Sequence, residues 1–371
     1  MLRVRLTQPA PIPLDVELEC AAGELLALVG PSGSGKTSVL RAVAGLLHPK
    51  NGEVRLGNEI WLDSARAVHV PAERRPVGMV FQHYALFPHL TARQNIELAM
   101  GKQATAGLAD QLLKDMHLQG LADRRPHELS GGQRQRVALA RALAREPKVL
   151  LLDEAFSAVD QPTRVVLYEE LIALRERVQL PIVMVTHDLR EARQLADRIC
   201  IIQAGQTLQA GPPEQVIAHP RNALVASLVG IRDIHDGVFH KTPQGGQANL
   251  VWGEPGRSLT LVTQDKGRIA DATPVKWVVA PQFVQLSRIA QGHENEVACR
   301  IDSVRALGAV STVYCVPLQG PEALLHVEAT TSQLRTLELA AGDTVLVRLE
   351  PQGIHVMPVK PSRAAQAPPV A

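Results

Sequence analysis

The sequence predicts an α/β domain built on a parallel β-sheet, followed by a small β-barrel domain. Three short apolar runs have the length and uniform hydrophobicity of strands buried on both faces of a sheet, and polar residues follow each run at once. The runs are Leu25–Val29, Val149–Leu152 and Ile182–Val185. After about residue 235, helical periodicity gives way to short β-like runs separated by glycine and proline, which indicates a barrel or a sandwich. Examples are Val275–Val279, Val310–Val316 and Thr344–Leu349.

The other elements follow from the spacing of apolar residues. Helical periodicity predicts helices over residues 37–47, 163–178 and 189–197, and residues 198–211 have the pattern of a hairpin that turns at Ala204 and Gly205. We therefore expect an α/β domain over 1–234 and a β-rich domain over 235–360, with its core at about 295–358. The Pro- and Ala-rich tail, 361–371, is expected to be disordered.

The octapeptide GPSGSGKT at Gly30–Thr37 lies between a predicted strand and a predicted helix, which is the context that a phosphate-binding P-loop requires. Its glycines let backbone N–H groups surround an anion, and the helix start presents further N–H groups and a positive dipole end. Lys36 adds a point charge, and Thr37 offers a hydroxyl to Mg²⁺. The candidate phosphate-binding residues are Gly30, Pro31, Ser32, Gly33, Ser34, Gly35, Lys36, Thr37 and Ser38.

Composition narrows the function class. The chain has 371 residues, 46% hydrophobic and 20% charged residues, and 39 basic against 37 acidic side chains, so bulk charge offers no argument for binding nucleic acid or an anionic membrane. The N-terminal segment has no apolar core of a secretory signal, and no run of 18 apolar residues occurs, so we expect the protein to remain in the cytoplasm. The four cysteines have no CxxC spacing, which favours buried, reduced thiols.

Asp153 and Glu154 end the segment KVLLLDE, where a buried strand should stop. A Mg²⁺ ion on a triphosphate prefers hard oxygen ligands, which Asp153 can supply directly or through water. Glu154 can act as the general base for a water that attacks the γ-phosphate. With a phosphate loop upstream, this pair is predicted to be functional rather than a solvated turn.

The segment LSGGQ at Leu129–Gln133 precedes a helical run and allows two interpretations. Ser130 and Gln133 have the spacing of a capping box, which starts a helix without binding a ligand. Gly131 and Gly132 are poor helix formers, which indicates that something approaches the backbone closely, and an anion at a serine-capped helix start meets that description.

These motifs, in this order, give residues 1 to about 230 a resemblance to the ATP-binding subunits of ABC transporters, which are P-loop NTPases with a helical subdomain. LSGGQ resembles the family signature, and KVLLLDE at 148–154 resembles the strand that carries the metal ligand and the base. SAVD, which ends at Asp160, resembles the loop through which the subunits communicate. THD contains a histidine, His187, that matches the family's switch histidine, and Gln82 matches the glutamine that couples nucleotide to permease.

The resemblance implies the cofactors and the partners. Two ATP-binding domains pair head to tail in this family, so that Ser130, Gly131, Gly132 and Gln133 of one subunit contact ATP on the other. Each motif occurs once in this chain, so a homodimer is the simplest arrangement. The implied ligands are ATP and Mg²⁺, the latter held by Thr37, Gln82 and Asp153, with Asp160 near the nucleotide. The implied catalytic residues are Glu154, His187 and Gln82.

The same resemblance implies membrane partners and a location. We expect integral-membrane permease subunits, indirect contact with a periplasmic or lipoprotein solute-binding protein, no nucleic acid, and peripheral attachment to the cytoplasmic face of the cell inner membrane. Three aromatic residues near Gln82, namely Phe81, Tyr84 and Phe87, either receive a permease helix or pack inside the helical subdomain.

The chain departs from the family pattern at three places. Ala155 stands where proline is usual, so the turn after Glu154 is expected to be less rigid. Val159 replaces the common leucine. No aromatic residue precedes Trp61, so the ring that usually stacks on adenine is missing.

Residues 295–358 resemble the TOBE barrel that is appended to importer ATPases, with 340–358 as the most telling stretch. An oligonucleotide-binding barrel is disfavoured because acidic residues outnumber basic ones here and Tyr314 is the region's one aromatic residue. Segment 62–82 looks most like molybdate-importer ATPases, so we expect an oxyanion importer, with molybdate first. Sulfate, iron or polyamine (spermidine or putrescine) import is the alternative, and a soluble ABC-type ATPase without a transport role is less favoured.

Overall fold

The computed structural model describes residues 1–101, 105, 107–157, 159–308 and 310–359; the predicted tail, 361–371, lies outside these residues. The chain divides into two compact units, Met1–Glu214 and Gln215–Ala371. No helix within the described ranges is long and apolar enough to cross a lipid bilayer.

The first unit contains one eleven-stranded sheet with the order β6-β5-β4-β1-β2-β11-β10-β3-β9-β8-β7. Its strands are β1 (Leu2–Gln8), β2 (Leu14–Cys20), β3 (Leu25–Val29), β4 (Asn51–Leu56), β5 (Glu59–Asp63), β6 (Val68–His69), β7 (Val77–Val80), β8 (Val149–Asp153), β9 (Ile182–Thr186), β10 (Arg198–Gln203) and β11 (Gln206–Gly211). Strands β10, β3, β9, β8 and β7 are parallel to one another, whereas β10 with β11, and β4, β1 and β2 among themselves, pair antiparallel. The three predicted central strands, β3, β8 and β9, are buried along their whole length, as unbroken apolar runs require.

The helices of the first unit connect these strands. They are α1 (Lys36–Ala44), α2 (Ala92–Glu97), α3 (Leu108–Asp115), α4 (Gly131–Leu143), α5 (Gln161–Val178) and α6 (Leu189–Leu195). Helix α7 (Pro213–Ala218) follows the hairpin β10–β11 and includes the boundary between Glu214 and Gln215. The hairpin turns at Ala204 and Gly205, whose φ angles of 47° and 75° are left-handed, as predicted for a tight two-residue connection.

The core of this unit lies between the sheet and α1, where aliphatic side chains from β1, β3, β8 and β9 meet Val39, Leu40 and Val43. Arg75 is the largest polar group within it and is 1% exposed. Its guanidinium donates to the carbonyl oxygens of Ala42 and Val43 at 2.8 and 2.7 Å, at the end of α1, where the Ala42 oxygen also accepts from the N–H of Gly45. Burial lowers the pKa of Arg75 to about 10.

The second unit contains two five-stranded antiparallel sheets, with the orders β14-β13-β12-β15-β21 and β16-β20-β17-β18-β19. The second sheet forms a small, nearly closed β-barrel, as the sequence predicts. The strands are β12 (His235–Lys241), β13 (Gln247–Glu254), β14 (Arg257–Gln264), β15 (Thr273–Val279), β16 (Val284–Ser287), β17 (Glu296–Leu307), β18 (Val310–Pro317), β19 (Leu325–Thr330), β20 (Thr344–Leu349) and β21 (Ile354–Pro358). Helices α8 (Ala223–Leu228) and α9 (Thr331–Leu337) complete the unit.

Both sheets of the second unit contribute to one apolar core. Alternating side chains of each strand point inward, and they surround Phe239, Trp252 and Trp277. The cysteines of the whole chain, Cys20, Cys200, Cys299 and Cys315, are buried and free, in agreement with the prediction of reduced thiols.

Candidate functional site

The carboxyl ends of β3, β9, β8 and β7 meet at one edge of the first sheet. The register pairs Val29 with Thr186, Asp153 with Val185, and Val80 with Leu152, so the segments that follow these four strands leave the sheet side by side. Because ligands of parallel sheets bind at this edge, the phosphate loop and three polar segments distant in sequence share one site.

The phosphate loop needs its glycines for two different reasons. Gly33 and Gly35 have φ angles of 78° and 95°, a left-handed conformation that favours glycine. A Cβ on Gly30 would lie 1.9 Å from the carbonyl oxygen of Ile202, so the backbone can approach the hairpin at this point only without a side chain. Within the loop, Pro31, Ser32 and Gly33 are exposed, whereas Ser34, Lys36 and Ser38 are buried.

The ammonium group of Lys36 points back into the loop. Its Nζ donates to the carbonyl oxygens of Gly30 and Pro31, both at 2.8 Å, and lies 3.5 Å from Ser34 Oγ. Burial lowers the pKa of Lys36, and the negative charges of Glu154 and Asp153 act in the opposite direction. The loop thus holds a positive charge at the centre of a ring of backbone groups.

The start of α1 is joined to the end of β8 by a hydrogen bond. Thr37 Oγ1 donates to Asp153 Oδ1 at 2.9 Å. Burial raises the pKa of Asp153, and the hydrogen bond from Thr37 partly offsets this effect. A hydroxyl and one carboxylate, both oxygen donors, are the kind of sparse protein set that suits Mg²⁺, which takes its other ligands from phosphate oxygens and water. The residues present therefore fit this ion.

Two predicted catalytic side chains, Gln82 and His187, meet at one carboxylate oxygen of the third, Glu154, and the three residues come from different segments. Glu154 Oε2 accepts from Gln82 Nε2 at 3.2 Å and lies 3.4 Å from His187 Nδ1. The Glu154 side chain is 17% exposed, and that of His187 is 56% exposed. The Glu154 carboxylate, the Gln82 amide and the His187 imidazole therefore face the same point in front of the phosphate loop.

The turn after β8 aims Glu154 at this point. Glu154 has a φ of 46°, its N–H donates to the carbonyl oxygen of Val185 at 3.0 Å, and its carbonyl oxygen accepts from the N–H and the hydroxyl of Ser157 at 3.2 and 2.9 Å. Ala155 is buried in this turn. Ser157 is the first residue of the segment SAVD, and the sequence pattern gives no sign that it closes this turn.

The segment 129–133 starts α4 through a complete capping box. Ser130 Oγ accepts from the N–H of Gln133 at 3.3 Å, and Gln133 Oε1 accepts from the N–H of Ser130 at 2.9 Å. A Cβ on Gly132 would lie 2.4 Å from Thr163 Cγ2 of α5, so close helix packing accounts for this glycine. These hydrogen bonds of Ser130 and Gln133 lie within the start of α4. They do not involve Gln82, Glu154 or His187.

Asp160 likewise caps a helix. Its Oδ2 accepts from the N–H and the hydroxyl of Thr163 at 3.3 and 3.0 Å, at the start of α5. These hydrogen bonds lower the pKa of Asp160. Its predicted role near the nucleotide stays a prediction.

The two aromatic residues that follow Gln82 differ in burial. Tyr84 is 6% exposed and packs inside the unit, whereas Phe87 is 42% exposed. Arg141 of α4 donates to the carbonyl oxygens of Tyr84 and Ala85 at 2.8 and 2.6 Å, and its guanidinium lies 5.9 Å from the centroid of the Phe87 ring. The buried amide of Asn95 also holds this loop, because it both accepts from and donates to the backbone of Phe87.

Sequence reasoning missed Arg141 and Asn95, because neither position has a pattern that distinguishes it from an ordinary helical residue. Within the described part of the chain, no group of three or more His, Cys, Asp or Glu side chains could hold a metal ion. A metal at this site would therefore depend on the nucleotide for most of its ligands.

Comparison with protein families gives two matches along the chain. The family model described as ABC transporter matches residues 14–157, and the model described as TOBE domain matches residues 278–357. The first range contains the phosphate loop, Gln82, segment 129–133 and Glu154.

Relatives among characterised proteins match over most of the chain. The sulfate/thiosulfate import ATP-binding protein CysA of Bacillus cereus (strain ATCC 10987 / NRS 248) is 37% identical over 90% of this chain and 91% of its own length. The putrescine transport ATP-binding protein PotG of Escherichia coli (strain K12) is 40% identical over 73% of this chain and 71% of its own length. The solved structure of cbiO1 from Clostridium perfringens, described as part of the ABC transporter complex cbiONQ, has a TM-score of 0.52 and 27% identity, and it covers 58% of this chain and 90% of that one.

Proposed function

The chain belongs to the ABC transporter family, as an importer-type ATP-binding subunit that hydrolyses ATP and carries a TOBE domain, and on that premise we propose that it powers the uptake of sulfate or thiosulfate. The observation that carries the substrate is the similarity to CysA of Bacillus cereus, which extends over nine tenths of both chains and so includes the second unit as well as the first. Sulfate is one of the alternatives to molybdate that the sequence leaves open. It is better supported than molybdate, because the relatives described above are named for sulfate, thiosulfate and putrescine.

The chemistry begins with binding of the nucleotide. The N–H groups of the phosphate loop and the start of α1 surround the β- and γ-phosphates, and Lys36 exchanges its hydrogen bonds to the carbonyls of Gly30 and Pro31 for phosphate oxygens. Thr37 and Asp153 would hold Mg²⁺, which would neutralise charge on the phosphates. The amide oxygen of Gln82 would offer a further ligand to the same ion.

Hydrolysis then depends on the three residues that converge in front of the loop. Glu154 takes a proton from the attacking water, since its Oε2 faces this point from a turn that the Ser157 hydrogen bonds hold. His187 and Gln82 orient the water and the γ-phosphate through the same region. A positioned general base contributes typically about 10²–10⁴-fold in rate.

Two copies of the chain complete each site in a head-to-tail homodimer. The start of α4 presents unpaired N–H groups next to Gly131 and Gly132, and an anion is stabilised at such a helix end. A capping box leaves some of these N–H groups free, so the Ser130–Gln133 pair is compatible with a γ-phosphate of the second subunit. Permease subunits would receive the resulting movement at the loop of Phe87, whose ring is exposed.

Polyamine uptake is the second candidate, and the similarity to PotG of Escherichia coli favours it. The transported solute does not enter the site described above, so the residues of that site do not distinguish an oxyanion from a polyamine. The test must therefore measure transport itself.

The decisive experiment measures uptake in the native cell. The gene is deleted and replaced by the wild-type form or by Glu154→Gln, and uptake of radiolabelled sulfate, putrescine and molybdate is followed in each strain. We expect sulfate uptake to be lost on deletion, restored by the wild type and not by Glu154→Gln. Loss of putrescine or molybdate uptake with normal sulfate uptake would overturn the proposed substrate. In purified protein, Glu154→Gln should still bind ATP while its turnover falls by about 10²-fold or more.

A further inference from the structure

The carboxylate of Glu191 is buried beside the site. It forms no hydrogen bond with Gln82, Glu154 or His187. Glu191 lies on α6 and is 7% exposed. A buried carboxylate needs hydrogen-bond partners to offset its desolvation. Its Oε2 is hydrogen-bonded to the hydroxyl of Thr186, which ends β9 and is 2% exposed. Thr186 is the residue that precedes His187 in the chain.

The direction of each hydrogen bond in this network follows from which group has a proton to donate, because an ionised carboxylate can only accept. Thr186 Oγ1 accepts from the N–H of Asp188 at 3.0 Å, and it has a single proton of its own, which it donates to the Glu191 carboxylate. Asp188 Oδ1 in turn accepts from the N–H of Arg190 at 2.8 Å and caps α6. The backbone on both sides of His187 is therefore tied to Glu191 through one hydroxyl.

This backbone has to orient His187, because packing does so only in part. The His187 side chain is 56% exposed, and its Nδ1 lies 3.4 Å from Glu154 Oε2. A change of a few tens of degrees in the backbone at this turn would move the ring away from Glu154.

A second set of contacts links Glu191 to the turn that carries Glu154. Tyr168 of α5 lies against Glu191, and burial together with the negative charge of Glu191 raises the pKa of its phenol. The Tyr168 ring packs edge-on against Phe156, with 5.2 Å between the centroids and 86° between the planes. Phe156 lies two residues after Glu154 in the chain. Glu191 is therefore linked to the turn of Glu154 through Tyr168 and Phe156, and to the turn of His187 through Thr186.

We propose that Glu191 is a positioning residue, whose carboxylate holds the turn Thr186–Asp188 through the Thr186 hydroxyl and thereby keeps the His187 imidazole in front of Glu154. The proposal rests on the function proposed for His187 above. It assigns Glu191 no contact with the nucleotide, so its removal should change the rate of the chemical step rather than the affinity for ATP.

The test is a pair of double-mutant cycles measured by single-turnover hydrolysis of Mg-ATP. Glu191→Ala should lower the rate constant about tenfold in the wild-type background with little change in ATP affinity, and Glu191→Gln, which keeps an oxygen that can accept from Thr186, should restore most of the rate. In the His187→Ala background, Glu191→Ala should change the rate less than about twofold, because the group it positions is absent.

A matched control separates positioning from general support of the fold. Glu170 of α5 is 16% exposed and is paired with Arg136 at 2.8 Å, so Glu170→Ala also removes a half-buried carboxylate, and its effect should be the same in both backgrounds. If Glu191→Ala lowers the rate equally with and without His187, Glu191 supports the fold and the proposal is wrong.

The Thr186 hydroxyl provides the same test if Glu191→Ala does not fold. Thr186→Val removes the hydroxyl but keeps the branched side chain of the strand, whereas Thr186→Ser keeps the hydroxyl. The proposal requires that only Thr186→Val slows hydrolysis, and that His187→Ala abolishes the difference between the two. If His187→Ala alone hydrolyses ATP at the wild-type rate, the role proposed for His187 fails first, independently of Glu191.

Discussion

Thr37 Oγ1 donates a hydrogen bond of 2.9 Å to Asp153 Oδ1, and this bond connects the first turn of α1 with the end of β8, 116 residues away in the chain. The two oxygens are thus already adjacent before any ion is considered. Because burial raises the pKa of Asp153, a proton competes with a cation for this carboxylate at a higher pH than for an ordinary aspartate.

The first prediction concerns Mg²⁺. The affinity for Mg²⁺ in the presence of ATP should be constant at high pH and should fall as the pH decreases through the raised pKa of Asp153, since the protonated carboxyl no longer binds the ion. A fluorescent ATP analogue, titrated with Mg²⁺ at several pH values between 7.5 and 5, measures this dependence. Asp153→Asn should weaken Mg²⁺ binding and remove this part of the pH dependence. An unchanged pH profile in Asp153→Asn would contradict the assignment.

The second prediction concerns Lys36. Its ammonium group makes charge-assisted hydrogen bonds, each of which is worth about 1.5–3 kcal/mol, so Lys36→Ala should raise the Kd for ATP by about 10- to 150-fold. Equilibrium binding of ATP measures the effect. Lys148→Ala is the control, because the Lys148 side chain is 55% exposed and pairs with Glu59 on the surface, and it should leave the Kd within about twofold. Equal affinities for Lys36→Ala and the wild type would rule out the phosphate loop as the binding element.

The third prediction concerns Arg141. Its guanidinium holds the carbonyls of two consecutive residues, Tyr84 and Ala85, whose φ angles of 60° and 48° are left-handed and therefore unfavourable. Arg141→Ala leaves these carbonyls without their donor and should lower the free energy of unfolding by about 2–4 kcal/mol. Arg141→Lys should lose about half of this amount, because an ammonium cannot reproduce the fork of a guanidinium.

Denaturant unfolding, followed by circular dichroism, measures these differences for Arg141. The exposed variant Arg193→Ala, on α6, is the control and should stay within about 0.5 kcal/mol of the wild type. If Arg141→Ala is as stable as Arg193→Ala, the loop after Gln82 does not depend on this contact.

The fourth prediction concerns the stability of the second unit at acidic pH. Burial lowers the pKa of His355 to about 4, although the ring also hydrogen-bonds to the carbonyl oxygen of Pro220 at 2.8 Å. The neutral ring is the folded form, so its contribution is fully present above the unfolded pKa of about 6.5 and is lost as the pH falls toward about 4. A difference of this size corresponds to about 3 kcal/mol.

Urea unfolding at pH 7.5 and at pH 4.5 measures this effect. In a Trp61→Phe background, tryptophan emission reports on Trp252 and Trp277, which both lie in the second unit. His355→Gln keeps an N–H donor but cannot titrate, so it should lose less stability between the two pH values than the wild type. The exposed His293→Gln should behave like the wild type. Equal losses for all three proteins would show that His355 is not the group responsible.

The LSGGQ segment shows what a local sequence pattern can predict and what it cannot. The capping box that Ser130 and Gln133 predict is present, because all of its atoms lie within four residues. The reason for Gly132 is not local: the Thr163 methyl group of α5 occupies the space where a Cβ would lie. The sequence indicates that something approaches this backbone, but it does not say that one such group belongs to the same chain.

The aromatic residues after Gln82 make the same point. From their spacing, Tyr84 and Phe87 could equally be buried or exposed. In the structure Tyr84 is buried and Phe87 is exposed. The difference arises because Arg141 and Asn95, from two other helices, fix the path of the loop between them.

The amino-acid sequence by itself determined the strands β3, β8 and β9, the phosphate loop and the carboxylate pair at 153 and 154, because unbroken apolar runs and adjacent polar residues express their physics within a few positions. The tertiary structure alone decided that Gln82 and His187 meet on one oxygen of Glu154, and that Glu191 is buried behind them. The physical reason is that burial and hydrogen-bond geometry depend on the order of strands in the sheet, which brings together residues that are far apart in the chain and share no periodicity.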